Sequence, residues 1–187
     1  MKIKLDCPVD FISNTKLELL LKHHGYITAD LDAECVIVNP GVNNFLGFEY
    51  FRQFPFLKVV GTPSTGVDHL DTKYLNQRGT QIKCLLDDRE TLNNIHASAE
   101  FTWLHIMNAV RKFNLAINHK EEWREVENES LLRSNELHGK KIGIIGMGRI
   151  GKKIANYAKA FGMKIIWYDP HIDEDIGTKI NDLKDLA

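Results

Sequence analysis

Residues 146–151 read Gly-Met-Gly-Arg-Ile-Gly, which is the pattern G-x-G-x-x-G. The apolar run 142–145 before it is typical of a buried strand, and the residues after it have the apolar spacing of a helix that stops at Gly162. A second apolar run, 165–168, leads to Asp169, eighteen positions after Gly151. This order of strand, glycine turn, helix, strand and acid predicts the first βαβ unit of a dinucleotide-binding fold.

Each glycine of the pattern has a physical role in such a fold. Gly146 permits a tight turn, Gly148 lets the backbone approach a pyrophosphate, and Gly151 allows the helix to pack closely on the strand. The exposed N–H groups and the positive end of the helix dipole favour the diphosphate. The alternative is a glycine-rich turn with a purely structural use.

Two other residues of the unit are candidate cofactor contacts. Asp169 is placed to accept hydrogen bonds from the ribose hydroxyls, and its charge would repel a 2′-phosphate, so NAD is favoured over NADP. Its alternative role is to start a turn with Pro170. Arg149 offers its backbone N–H and its guanidinium to phosphate, whereas a solvated arginine at a helix start is the alternative for the side chain.

Composition narrows the class of protein. The 187 residues suffice for one large domain or two small ones, and a formal net charge of −1 gives no electrostatic footprint for nucleic acid or an anionic membrane. No apolar run has the length of a membrane span. The three cysteines, Cys7, Cys35 and Cys84, are odd in number and far apart, which fits neither a disulfide framework nor a zinc site. A cytoplasmic location is the default expectation, and no metal site or hydrolytic triad is predicted.

The first ninety or so residues alternate short apolar runs with helical patterns, which predicts a parallel sheet covered on both faces. We expect strands at 3–7, 35–38, 57–60 and 81–85, helices at 14–24, 48–54 and 71–77, and a solvated loop at 87–90.

A long helix is predicted over residues 97–117, where apolar side chains point in nearly every direction. We expect it to be buried on most sides, between two domains or in a dimer interface. The charged segment 120–138 is predicted to cross the surface with Trp123 as an anchor. The strands around Ile144 and Ile166 are expected to lack neighbouring strands, and residues 182–187 to begin another helix.

Residues 62–71 form the connection after the predicted strand 57–60. Ligands of α/β sheets bind at the carboxyl ends of strands, and a turn containing Gly66 can offer N–H groups to an anion. An ordinary strand–helix connection capped by Asp68 or Asp71 explains the segment equally well.

Three segments together resemble the D-isomer-specific 2-hydroxyacid dehydrogenases: residues 64–71, 97–102 and 136–151. The resemblance implies a flavodoxin-like substrate domain (1–92) and part of a Rossmann NAD-binding domain (93–187). It implies that backbone around Ser64, Thr65 and Gly66 holds the carboxylate of a small 2-hydroxy or 2-keto acid. It also implies that Thr102 lines the nicotinamide side, that Arg149 and Ile150 lie under the pyrophosphate, and that the chain forms a homodimer.

The chain departs from the family pattern in two respects. Phe101 stands where a histidine is common. The family's catalytic arginine, its acid–base histidine and the acidic partner of that histidine fall beyond residue 187, so no catalytic residue is assigned. We therefore expect an incomplete dehydrogenase, inactive as this chain alone. The alternatives are a non-catalytic nucleotide-binding or dimerising regulatory module, and one half of a split enzyme.

Overall fold

The structure is a computed structural model that describes residues 1–6, 14–39, 45–119 and 125–186. These residues divide into two compact units, 1–92 and 93–187, which we describe separately. The predicted end of the first strand at Cys7 and the predicted anchor Trp123 lie outside the described residues.

Unit 1 (residues 1–92) is built on a parallel five-stranded sheet with the strand order β2-β1-β3-β4-β5. Its strands are β1 (Lys2–Asp6), β2 (Ile27–Thr28), β3 (Cys35–Val38), β4 (Val59–Gly61) and β5 (Gln81–Lys83). Its helices are α1 (Asn14–His23), α2 (Phe48–Phe51), α3 (Thr72–Gln77) and α4 (Arg89–Asn93), of which the last ends at the boundary of the unit. The order 2-1-3-4-5 is that of flavodoxin-like sheets, which confirms the predicted fold class of this unit.

Burial explains why the apolar runs of unit 1 became strands. Val36, Val38 and Val60 are almost fully buried, and they pack with Phe51 and Phe54 in one core. β-Branched residues covered on both faces are typical of parallel sheets.

Several boundaries of unit 1 differ from the sequence prediction: helix α2 ends at Phe51 rather than at 54, strand β4 covers Val59–Gly61 rather than 57–60, and the two-residue strand β2 was not predicted. Two further differences have a local cause. The strand predicted at 81–85 ends at Lys83, because Leu85–Asp87 forms a 3₁₀ turn in which the Cys84 N–H donates to Asp87 Oδ2 at 3.0 Å. The loop predicted at 87–90 is wrong as well, since α4 starts at Arg89 after the Thr91 N–H is bound by Asp88 Oδ1 at 3.0 Å. Both are local side-chain caps that compete with a continuing strand or loop.

Unit 2 (residues 93–187) holds a parallel three-stranded sheet with the order β6-β7-β8. Its strands are β6 (Lys141–Ile145), β7 (Lys164–Tyr168) and β8 (Thr178–Lys179), and its helices are α5 (Ala97–Arg111), α6 (Phe113–Asn118), α7 (Val126–Leu132) and α8 (Arg149–Ala160). Helix α8 connects β6 to β7, so the predicted βαβ unit is confirmed. Ile144, Ile154, Ala158, Ile165 and Trp167 belong to the core between these elements.

The prediction of two strands without neighbours is half wrong. Strand β7 pairs with β8 through Ile166 and Thr178, so Ile166 lies in the middle of the sheet. Strand β6 pairs only with β7 among the described residues, which leaves its outer edge open. The predicted helix at 182–187 is a 3₁₀ turn, Leu183–Leu186, whose Leu186 side chain lies so close to Gly143 that a Cβ there would come within 2.6 Å of it.

The long helix predicted over 97–117 is broken at Lys112, which has a left-handed φ of 52°. Hydrogen bonds on both sides hold this break. The Lys112 ammonium donates to the Leu131 carbonyl at 2.9 Å, and Asn108 Oδ1 accepts the Asn114 N–H at 3.0 Å. The segment 120–138, predicted as a surface crossing, contains helix α7, whose Leu131 supplies that carbonyl.

Helix α5 buries one face rather than most of its surface. Its inner face packs on α8, where Trp103 lies against Tyr157 and Phe161 with ring centroids 6.0 and 5.1 Å apart. On the opposite face Phe101 and Leu104 remain 63% and 58% exposed. The prediction of burial on most sides is therefore wrong for the single chain. No helix in the described ranges is long and apolar enough to span a membrane.

Candidate functional site

The glycine turn between β6 and α8 has the geometry that its sequence predicts. Gly146 adopts a φ of +93°, which L side chains rarely adopt, and its N–H donates to the Tyr168 carbonyl at 2.8 Å. A Cβ on Gly151 would overlap the carbonyl oxygen of Gly146. The turn is thus tight at its first glycine and closely packed at its last.

Gly148 is different, because a Cβ at this position would meet nothing within 4 Å. It is the N-cap of α8, with an extended ψ of −163°, and no side chain caps the helix. The N–H groups at the start of a helix have no partner within that helix. Open space above Gly148 and uncapped donors at Arg149, Ile150 and Gly151 therefore form a cradle that suits a diphosphate.

Asp169 braces this turn from the end of β7. Its Oδ2 accepts the Met147 N–H at 2.8 Å, and its Oδ1 accepts the N–H groups of His171 and Ile172 at 2.8 and 3.0 Å. These bonds, that from His171 foremost, hold the pKa of the carboxyl below its usual range. The carboxylate stays charged, and three of its roughly four acceptor positions are used, which leaves one for a hydroxyl group.

The side chain of Arg149 does not extend into the cradle. Its guanidinium donates to the Ile95 carbonyl at 3.1 Å, and one helical turn later Lys153 donates to the Asn93 carbonyl at 2.9 Å. Lys153 also contacts the ring of His96 at 3.1 Å. These two cations fasten the start of unit 2 to the helix that follows the glycine turn. The sequence pattern gave no signal for this role, because it depends on which way two long side chains point.

A cavity of about 570 Å³ lies along the open edge of β6. It brings four of the predicted cofactor residues together: Thr102, Gly146, Ile150 and Gly151. The rest of the lining is mostly apolar, with Ile106, Val110, Ile142 and Met163 among its residues. An apolar cleft with a few polar groups beside a glycine turn is a typical cofactor pocket.

In unit 1 the predicted substrate residues follow the carboxyl end of β4. Within the described part of the chain, the backbone N–H groups of Ser64, Thr65, Gly66 and Val67 have no hydrogen-bond acceptor. Thr65 and Gly66 are exposed. Consecutive free N–H groups in a turn are suited to an anion. The cap expected as the alternative is also present, since Asp71 Oδ1 accepts the Tyr74 N–H at 2.9 Å.

The same loop contains a polar cluster that sequence reasoning missed. Buried Thr62 has its hydroxyl 2.9 Å from Ser64 Oγ and 3.2 Å from His69 Nε2, and Ser64 Oγ donates to the Gly66 carbonyl at 2.7 Å. Burial lowers the pKa of His69, against the opposing charge of Asp68. In the described ranges, no group of three or more His, Cys, Asp or Glu side chains could hold a metal ion.

Comparison with known proteins agrees with this geometry. Residues 103–187 match the family model of the D-isomer specific 2-hydroxyacid dehydrogenase, NAD binding domain. A glyoxylate reductase from Thermococcus gammatolerans is 28% identical over 84% of the chain, and a D-3-phosphoglycerate dehydrogenase from Methanocaldococcus jannaschii is 30% identical over 83%. The chain spans 47% and 29% of the lengths of those two proteins.

A solved structure shares the fold. The D-lactate dehydrogenase from Aquifex aeolicus, solved with NAD and lactic acid, superposes with a TM-score of 0.77 at 24% identity, and the match covers all of this chain and 57% of that one. The predicted cofactor, NAD, is the one that the matched family domain binds. The family resemblance seen in the sequence is confirmed: residues 103–187 carry the NAD-binding domain of the D-isomer-specific 2-hydroxyacid dehydrogenases, and the chain is similar to members of that family over most of its length.

Proposed function

We propose that this chain is the substrate-loop and NAD-cradle portion of an NAD-dependent 2-hydroxyacid dehydrogenase. The observation that carries the proposal is the turn 146–151, in which the first glycine has a positive φ, the second has open space around it and the third is tightly packed. The NAD that such a site binds supplies the hydride chemistry. The N–H groups at the start of α8 hold the pyrophosphate, Asp169 accepts from a ribose hydroxyl, and Thr102 lies along the cleft beside Ile150.

The substrate portion of the proposal rests on unit 1. The free N–H groups of Ser64, Thr65 and Gly66 bind the carboxylate of a small 2-hydroxy or 2-keto acid, and no charged side chain is needed for that contact. Which acid is bound depends on side chains around its 2-substituent, and this loop selects only for the carboxylate.

We further propose that the 187 residues alone do not catalyse the reduction of a 2-keto acid. Reduction of a 2-keto acid requires a proton donor at the carbonyl oxygen and a cation at the carboxylate. No described residue near either candidate site is assigned to proton transfer: His69 is bound within its own loop, and Arg149 is bound to Ile95. A non-catalytic nucleotide-binding module and one half of a split enzyme remain the two alternatives.

An assay of NADH oxidation with glyoxylate, pyruvate, hydroxypyruvate and 2-ketobutyrate tests the absence of turnover. We expect no rate above the uncatalysed background, with a full-length glyoxylate reductase as the positive control. A turnover number within the enzymatic range of about 1–1000 per second would contradict the proposal. Activity that appears only when a second polypeptide carrying the acid–base residues is added would favour the split enzyme.

The second prediction concerns the choice of cofactor. The end of β7 is anionic, since Asp169 is followed by Asp173, Glu174 and Asp175, and the nearby Lys152 is already paired with Glu174. Lys179 is likewise paired with Asp173, so neither lysine is free to bind a 2′-phosphate, which the carboxylate of Asp169 would repel. We expect NAD to bind at least about tenfold more tightly than NADP.

Calorimetric titration of both nucleotides measures this ratio. Asp169→Asn is expected to reduce the preference, whereas the matched control Asp175→Asn, an exposed acid of the same loop, leaves it nearly unchanged. Tighter binding of NADP than of NAD by the unmodified chain would show that the role assigned to Asp169 is wrong.

The third prediction concerns a homodimer formed through α5. Phe101 and Leu104 lie on the outer face of this helix, and exposed apolar patches favour association. We expect the chain to be a dimer by light scattering and Leu104→Lys to shift it towards the monomer. Leu20→Lys, which charges a 54% exposed leucine of α1 in unit 1, is the control that leaves the mass unchanged. A monomer at high concentration, indifferent to both substitutions, would rule out this interface.

A further inference from the structure

The hydroxyl groups of Thr62 and Ser64 connect the ring of His69 to the carbonyl of Gly66. The three contacts run in sequence, from His69 Nε2 to Thr62 Oγ1 at 3.2 Å, from Thr62 Oγ1 to Ser64 Oγ at 2.9 Å, and from Ser64 Oγ to the Gly66 oxygen at 2.7 Å. Thr62 is buried, while Ser64 and His69 are partly exposed. We call this series of hydrogen bonds the His69 network.

Counting the hydrogen atoms determines the direction of every hydrogen bond in the His69 network. A carbonyl oxygen only accepts, so the single hydroxyl hydrogen of Ser64 is used on Gly66. Thr62 must then donate its own hydroxyl hydrogen to Ser64. The Thr62 oxygen has no hydrogen left for the ring, so His69 Nε2 is the donor of the third bond. The ring therefore carries its hydrogen on Nε2.

The same bonds determine what the loop presents to a ligand. The Gly66 carbonyl is occupied by Ser64, the Ser64 carbonyl accepts the Leu85 N–H at 3.0 Å, and the His69 carbonyl accepts the Leu46 N–H at 2.7 Å. Three carbonyl acceptors of the loop are thus already paired with donors of unit 1. The backbone N–H groups of Ser64, Thr65 and Gly66 have no acceptor within the described residues. A loop that binds its acceptors and presents its donors favours an anion.

We propose that His69, as the Nε2–H tautomer, is a positioning residue that acts through Thr62 and Ser64 to keep the N–H groups of the loop directed at a carboxylate ligand. His69 itself does not contact the ligand. The inference rests on the proposed function in one respect, that the anion bound by this loop is a carboxylate. The tautomer follows from the hydrogen count alone.

The tautomer is tested first, without any ligand. Two-bond proton–nitrogen correlation NMR on the full chain labelled with ¹⁵N-histidine distinguishes a protonated Nε2 from a protonated Nδ1, and His69→Gln identifies the His69 signals by their loss. We expect the Nε2–H pattern at neutral pH. The Nδ1–H pattern would overturn the proposal, whatever the chain binds.

The positioning role is tested with a matched pair of substitutions. In His69→Gln the side-chain amide nitrogen stands near the position of Nε2 and keeps a donor for Thr62, whereas in His69→Asn it stands near Nδ1 and is too short. With oxalate as the probe, we expect His69→Asn to weaken binding about threefold to tenfold, as the loss of one hydrogen bond implies. His69→Gln should remain within about twofold of the unmodified chain.

Thr62→Val removes the central hydroxyl group of the His69 network, so we expect it to weaken oxalate binding about as much as His69→Asn. The double variant should be no weaker than either single one, because residues in one network are not additive. Equal losses in the Gln and Asn variants, or additive losses in the double variant, would refute the positioning role. Thr62→Ser keeps the hydroxyl and controls for folding.

An unmodified chain that binds no oxalate would refute the carboxylate function of the loop. The ¹⁵N order parameters of the Thr65 and Gly66 amides would then decide the positioning role separately. We expect lower order parameters in His69→Asn than in His69→Gln, and equal values would overturn the proposal.

Discussion

Gly151→Ala is expected to lower the free energy of unfolding of unit 2 by about 3 kcal/mol, the upper end of the usual cost of overpacking. The added methyl group would overlap the Gly146 carbonyl oxygen, which belongs to backbone and cannot rotate away as a side chain can. Either α8 moves away from β6 or the turn opens. Thermal unfolding followed by tryptophan fluorescence measures the loss, because all three tryptophans of the sequence fall in unit 2.

Gly148→Ala is the matched control in the same turn. Its Cβ would meet nothing within 4 Å, and a φ of −75° suits alanine. We expect unchanged stability but markedly weaker NAD binding, because the methyl group would occupy the space through which the pyrophosphate approaches. Equal stability losses in the two variants would contradict the separate roles assigned to these glycines. Unchanged NAD affinity in Gly148→Ala would show that the cradle is not the phosphate site.

Trp167→Ala is expected to destabilise unit 2 by about 3–5 kcal/mol, the usual cost of truncating a fully buried aromatic residue. Trp167 is the largest of the side chains that are fully buried, and it packs with Ile144, Ile165 and Ala158 in the core. The ammonium group of Lys179 also lies 5.2 Å from its ring centroid. Chemical denaturation followed by far-ultraviolet circular dichroism measures the effect.

Trp167→Phe is expected to cost less than about 1 kcal/mol, although it too removes volume. The indole Nε1–H is buried without a partner among the described residues, and an unsatisfied buried donor itself costs about 1–3 kcal/mol. Phenylalanine removes that donor and keeps most of the packing. A loss as large as that of Trp167→Ala would mean that Nε1 has a partner, such as a buried water molecule.

The glycine turn could be predicted in detail, because each of its constraints is local. The positive φ of Gly146 and the close approach at Gly151 concern backbone atoms within a few residues of one another, and no other residue type satisfies both. The parallel order of the strands could be predicted for a similar reason, since apolar runs and turn residues are encoded along the chain.

The features that escaped prediction depend on contacts that form only once the chain has folded. The break in the long helix occurs at Lys112, an ordinary helix former, whose ammonium donates to the carbonyl of Leu131, 19 residues later. The strand β8 has two residues, too few for any periodicity, and Gly177 allows it to approach the backbone of Ile165. The His69 network joins residues seven positions apart, and their contact exists only after the loop has folded.

The open edge of β6 has a consequence for handling the protein. The strand begins with a lysine, Lys141, and such charges discourage edge-to-edge pairing, but its last residue, Ile145, is 68% exposed and has no charged neighbour in the strand. Protection is therefore uneven along the edge. Concentrated samples should be prone to intermolecular β-sheet growth that starts at Ile145, and a charged residue at this position should suppress that pairing.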